Sequence, residues 1–72
     1  MLNEIQIRLN GQAKSVQSGM NLLELLRLLD LKSGQVAIEV NREIIKKHHW
    51  EDVKLQSDDV VEVVHFVGGG AS

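Results

Sequence analysis

Asp59-Val60-Val61-Glu62-Val63-Val64-His65-Phe66-Val67-Gly68-Gly69-Gly70 decides how this chain is read. From Val60 to Val67 only Glu62 and His65 interrupt an apolar run. Such a run reads as a β-strand that is either buried on both faces or covered by a partner. Side chains alternate along a strand, so Val60, Glu62, Val64 and Phe66 share one face, and Val61, Val63, His65 and Val67 share the other. Glu62 marks the first set as the more exposed. Val64 and Phe66 then form a docking patch beside the chain's end, or they are covered by a helix or loop. The glycines that follow lack Cβ atoms and can enter a channel too narrow for any side chain. From Phe66 to Gly70 an extended backbone reaches roughly 14 Å. The bland alternatives for this stretch are a disordered end or an expression remnant.

Working outward from that strand, Asp58-Asp59 makes the turn that precedes it. Lys46 to Gln56 is polar and irregular, pinned by Trp50 with Val53 and Leu55. Val36, Ile38 and Val40 alternate with Ala37 and Glu39, which predicts a strand. Asn41-Arg42 turns that strand into a short one, Glu43 to Ile45. Earlier, Ile5, Ile7 and Leu9 alternate with Gln6, Arg8 and Asn10, another strand. Asn10-Gly11 tolerates positive φ at both positions and signals a tight hairpin. The return strand is expected over Lys14 to Gln17, with Val16 facing inward.

Ser18-Gly19 ends the hairpin. Asn21 is a good N-cap with Glu24 three residues on, the capping-box spacing, and Met20 and Leu25 stand at the staple positions. Leu22, Leu25, Leu26 and Leu29 lie on one helical face, which Leu23 and Leu28 widen. The helix is expected to end near Asp30 or Leu31, with Gly34 as the stop. The order is β-β-α-β-β-β. A lone helix must lie across a sheet to bury its apolar face. Placing the long first and last strands side by side at the sheet centre predicts an α+β fold of the β-grasp (ubiquitin-like) type. It has a mixed sheet of about five strands with one main helix across it. Residues 1–67 form the domain and 68–72 a flexible tail.

The 72 residues allow a single core, and 43% hydrophobic content is too high for a disordered chain. Lys+Arg 8 against Asp+Glu 10 leaves a net charge of −2, which argues against a general nucleic-acid binder. Cysteine is absent, which excludes disulfides, zinc-thiolate sites and cysteine nucleophiles and fits a cytoplasmic setting. No apolar run approaches the roughly 18 residues that cross a bilayer, and the start of the chain does not look like a signal peptide.

Candidates for chemistry inside the domain are weak. His48 and His49 are adjacent and expected to point in different directions, with no third ligand at a useful spacing for a metal. Arg42, Lys46 and Lys47 form a small basic cluster, read as a solvated face in preference to a docking patch. Trp50 is expected to close the bottom of the core. His65 reads as a tolerated residue near the strand end, with no nucleophile arranged around it. Neither a phosphate-binding loop nor a Ser–His–Asp order is present. As an independent enzyme the chain is poorly equipped.

The strand order, the run Val36-Ala37-Ile38-Glu39-Val40-Asn41, Trp50 downstream and the stretch Asp59 to Gly70 together resemble the ThiS sulfur carriers of thiamine biosynthesis, within the ThiS/MoaD ubiquitin-like family. The likeness covers about positions 5 to 70. It implies that a ThiF-like, E1-type adenylyltransferase uses ATP to adenylate the terminal glycine carboxylate. A sulfur donor protein then supplies sulfur that replaces AMP. A ThiG-like thiazole synthase takes that sulfur from the resulting thiocarboxylate.

On this chain the resemblance places the reactive carboxylate on Gly70, next to Gly69, and the partner contacts on Phe66, Val64 and Gly68. ATP and metal are implied for the adenylating partner, with no cofactor or metal held by this chain. Ala71 and Ser72 follow Gly70, so its carbonyl is a peptide in the chain as written. Either a protease trims them, or they are foreign to the native end, or the chain as written is an inactive carrier. The alternatives are a sulfur carrier for molybdopterin or a specialised metabolite, and a non-catalytic ubiquitin-like modifier or binding module.

Overall fold

The computed structural model describes residues 3–66. Strand β1 (Glu4–Leu9) and strand β2 (Gln12–Gln17) form a hairpin, followed by helix α1 (Leu22–Leu28). Strands β3 (Val36–Val40), β4 (Glu43–Ile45) and β5 (Val60–His65) complete the chain's elements, with short 3-10 turns at Ser33–Gln35 and Lys47–His49. The strands form one five-stranded sheet in the order β2-β1-β5-β3-β4. β1 and β5 are parallel neighbours; the other pairs are antiparallel. The expected pairing of first and last strands therefore holds, and β5 is the central strand of a β-grasp sheet.

Local chemistry explains the elements. Asn10 (φ 49°) and Gly11 (φ 84°) both take the left-handed region, making the two-residue turn whose twist suits a hairpin. That turn uses no further residues, so β2 starts at Gln12 and not at Lys14. Asn41 (φ 52°) and Arg42 (φ 72°) repeat the device between β3 and β4. The capping box forms as the spacing predicts: Asn21 Oδ1 accepts from the Glu24 N–H at 2.8 Å, and Glu24 Oε1 accepts from the Asn21 N–H at 2.9 Å.

The helix ends earlier than expected, and Gly34 is not its stop. Asp30 takes φ 58°, its N–H donates to the Arg27 carbonyl at 3.1 Å, and the Leu31 N–H donates to the Leu26 carbonyl at 3.0 Å. This pair of bonds is the Schellman termination, whose left-handed residue is usually glycine. An aspartate carries it here, and Gly34, the expected stop, is instead a residue of the following 3-10 turn.

Leu22, Leu25 and Leu26 of α1 share one core with Ile7, Leu9, Val16, Val36, Ile38, Val40, Leu55, Val61 and Val63. Trp50 is buried in the same core, as expected of a residue that closes it, and its indole Nε1–H donates to the Ile45 carbonyl at 2.8 Å. Of the two expectations for β5, burial on both faces fails. Val61 and Val63 are buried, whereas Val60, Glu62 and Val64 are exposed, because the other elements pack on only one face of the sheet. Among the described residues no helix is long and apolar enough to cross a membrane.

Candidate functional site

β5 is the strand that leads to the glycine segment, and three sets of bonds fix it. On one side β3 pairs with it from Val40↔Val61 to Val36↔His65, and the Phe66 N–H donates to the Gln35 carbonyl at 2.7 Å. On the other side β1 pairs only through Arg8↔Val60 and Leu9↔Val61, because the chain then turns away at Asn10. The Asn10 side chain continues the ladder in place of backbone. Its Oδ1 accepts from the Val63 N–H at 2.8 Å and its Nδ2 donates to the Val63 carbonyl at 3.4 Å.

Asn41 makes a comparable tie at the start of the strand. Its Oδ1 accepts from the Val60 N–H at 2.9 Å, and its Nδ2 donates to Asp59 Oδ1, also at 2.9 Å. Sequence reading identified both asparagines as turn formers and missed these long-range ties. The signal was present in the choice of Asn, whose amide offers both a donor and an acceptor where glycine offers neither.

The face of β5 away from the core is open. Val64 is 54% exposed, Phe66 53% and Val60 41%, so the alternative in which a helix or loop covers Val64 and Phe66 does not hold in this chain. Register places Ala37 beside Val64, Glu39 beside Glu62, and Ile44 on the far side of Glu39. Ile44, on edge strand β4, is 71% exposed. An apolar surface therefore extends across three strands, with two carboxylates at its middle. Gly68, Gly69 and Gly70, together with Val67, Ala71 and Ser72, lie outside the described residues.

The remaining candidates lie elsewhere. His65 is exposed at the end of β5 although its position in the alternation matches Val61 and Val63. His48 and His49 do not diverge as expected. Their ring centroids are 4.1 Å apart and tilted by 43°, on the 3-10 turn Lys47–His49. They line a shallow groove of about 400 Å³ with Glu43, Lys46, Asp52 and Val53, between β4 and the turn. Among the described residues no group of three or more His, Asp or Glu side chains is placed to hold a metal ion. Arg42 and Lys47 are exposed near that groove.

A β-grasp sheet whose central strand leads into a glycine segment, with one open apolar face beside that exit, defines the ubiquitin-like carrier class. The chain belongs to the ThiS family, whose model matches residues 2–70. It is 40% identical over 65 residues to the sulfur carrier protein ThiS of Bacillus subtilis, covering 89% of this chain and 98% of that one. It is also 39% identical over 66 residues to a thiazole synthase of Magnetococcus marinus, covering 92% of this chain but 20% of that protein. The chain thus spans about a fifth of the length of that relative. The crystal structure of a thiamine biosynthesis protein (ThiS) from Geobacter metallireducens superposes with a TM-score of 0.79 at 28% identity, covering 92% of this chain and all of that one.

Proposed function

We propose that this protein is a cytoplasmic sulfur carrier of thiamine biosynthesis, a protein cosubstrate and not a catalyst. What carries the reading is the 40% identity to the Bacillus subtilis sulfur carrier over nearly the whole of both chains. The chemistry of the C-terminal segment supports it. A carboxylate is a poor acyl donor. An E1-like adenylyltransferase converts the Gly70 carboxylate to an acyl adenylate, releasing pyrophosphate from ATP. A persulfide on a donor protein then displaces AMP to form an acyl disulfide, and a thiol reductant cleaves its S–S bond to leave a thiocarboxylate on Gly70. The sulfur is held on the backbone terminus, so a carrier without cysteine is self-consistent.

ATP and its metal belong to the adenylating enzyme, whose cationic groups polarise the phosphates. This chain contributes a narrow approach through Gly68 and Gly69 and a surface to grip through Val64 and Phe66. Loss of Ala71 and Ser72 is the step that frees the Gly70 carboxylate. A thiazole synthase is the acceptor, in keeping with the thiazole synthases that contain a region similar to this chain.

Intact-mass spectrometry tests the proposal on a chain ending at Gly70, incubated with its adenylating enzyme, ATP and a sulfur source. The expected product carries one sulfur in place of one oxygen, and thiazole synthase consumes it. An unchanged mass, where a Bacillus subtilis control carrier reacts, rules the function out.

A further inference from the structure

Four asparagines stand in the chain, and Asn10 alone is followed by glycine; Asn3 precedes Glu4, Asn21 precedes Leu22 and Asn41 precedes Arg42. An asparagine side chain loses its amide when the next backbone nitrogen attacks its Cγ. Glycine leaves that nitrogen unshielded, because it carries no Cβ. Gly11 is exposed, and apart from its chain neighbours no atom lies within 4 Å of where its Cβ would stand. The fold has a use for each member of the pair. Gly11 sits at φ 84°, where a side chain is strained, and Asn10 supplies an acceptor for the Val63 N–H and a donor for the Val63 carbonyl. Register pairing of β1 with β5 stops at Leu9↔Val61, so this amide is the tie between the hairpin and Val63.

We propose that Asn10 is a site of spontaneous deamidation, held shut by its two bonds to Val63 and, once modified, a one-way loosening of β5. The deprotonated Gly11 nitrogen attacks Asn10 Cγ. The new C–N bond closes a five-membered imide, the Cγ–Nδ2 bond breaks, and the proton lost by Gly11 is regained, through solvent, by the departing ammonia. Water then adds across one imide C–N bond. Opening at Cγ gives aspartate; opening at the main-chain carbonyl of Asn10 gives isoaspartate, with the backbone running through Cβ and Cγ. Closing the ring draws Cγ onto the Gly11 nitrogen and frees Nδ2, and both motions break the bonds to Val63. The reaction therefore waits for the hairpin end to open. Aspartate sets a carboxylate against the Val63 carbonyl; isoaspartate lengthens a two-residue turn by one backbone atom. Beyond Val61, β5 is then held from the β3 side alone. Asn41 is the internal comparison. It sits in the same kind of turn at φ 52° with its amide tied to Val60 and Asp59, but there the attacking nitrogen belongs to Arg42, whose side chain crowds it.

The test needs only the chain itself and is independent of the carrier reading. The chain is incubated in mildly alkaline buffer in three states: native, in urea below the unfolding transition, and fully unfolded. Peptide mapping that separates aspartate from isoaspartate reads each asparagine. The unfolded chain is expected to convert Asn10, with isoaspartate in excess, while Asn3, Asn21 and Asn41 stay largely intact. In the native chain, conversion at Asn10 is expected to be at least about tenfold slower, and urea below the transition raises it in step with hydrogen exchange at the Val63 amide. The modified chain, separated by charge, is expected to exchange its Val63 amide faster than the parent does. An unfolded chain in which Asn10 survives as well as Asn41 overturns the site. Equal rates in the native and unfolded chains overturn the gate, as does a rate that ignores urea while Val63 exchange quickens. Unchanged Val63 exchange in the modified chain overturns the loosening.

Discussion

The two faces of β5 are built from nearly the same residue types and have opposite fates. Val61 and Val63 point into the core and are almost inaccessible; Val60 and Val64, one position away, stand 41% and 54% exposed. Nothing in the hydrophobicity of valine distinguishes them. What separates them is the single layer of helix and loop, whose leucines and Trp50 cover one side of the sheet. An apolar side chain left in water on that strand gains little from burial, and it is the kind of surface that suits contact with another protein.

The sharpest way to break this comparison is the same substitution on each face. Val61→Asp puts a carboxylate into the core at a position with 0% exposure and is expected to cost more than about 4 kcal/mol, leaving the domain unfolded. Val64→Asp, on the open face, is expected to change stability by no more than about 0.5 kcal/mol while weakening partner binding. Urea denaturation followed by Trp50 fluorescence measures both. Equal losses of stability would mean that the outer face is covered after all.

A smaller effect separates the two roles of Asn10. Asn10→Gly keeps a residue suited to φ 49° and removes only the amide that serves Val63. The expected loss is roughly 1–2 kcal/mol, from a half-buried N–H left without its acceptor. Asn10→Ala removes the amide and adds the cost of a left-handed alanine, about 1 kcal/mol more. If hydrogen exchange at the Val63 amide is as slow in Asn10→Gly as in the parent, the side-chain ladder is not what holds that half of β5.

The smallest change is at the helix start, remote from either face of β5. Asn21→Ala removes the cap on the Glu24 N–H and is expected to cost about 1 kcal/mol in chemical denaturation, with partner binding unchanged. A loss of binding there would extend the docking surface to the helix side.

Much of the fold was legible because its determinants are local. The alternation at Ile5, Ile7 and Leu9, the Asn10-Gly11 turn and the Asn21–Glu24 box each lie within a few residues and formed as read. The misses were cases in which an unusual residue filled a familiar role, or a turn was tighter than average. Asp30 took the left-handed position normally given to glycine, and the His48 and His49 rings lie 4.1 Å apart. The candidate site was legible in part: strand alternation put Val64 and Phe66 on one face, but alternation alone does not say whether a face is covered.

By itself the amino-acid sequence determined which segments extend, where they turn and how the helix starts. Those features depend on backbone sterics and hydrogen bonds within a few positions of each residue. Only the tertiary structure decided that β5 lies between β1 and β3, that Asn10 reaches a backbone 53 residues away, and that Glu39 meets Glu62 among exposed valines. Each of these depends on which surfaces the folded chain brings together, and a side chain's neighbours across a sheet are set by register between strands, not by its own place along one of them.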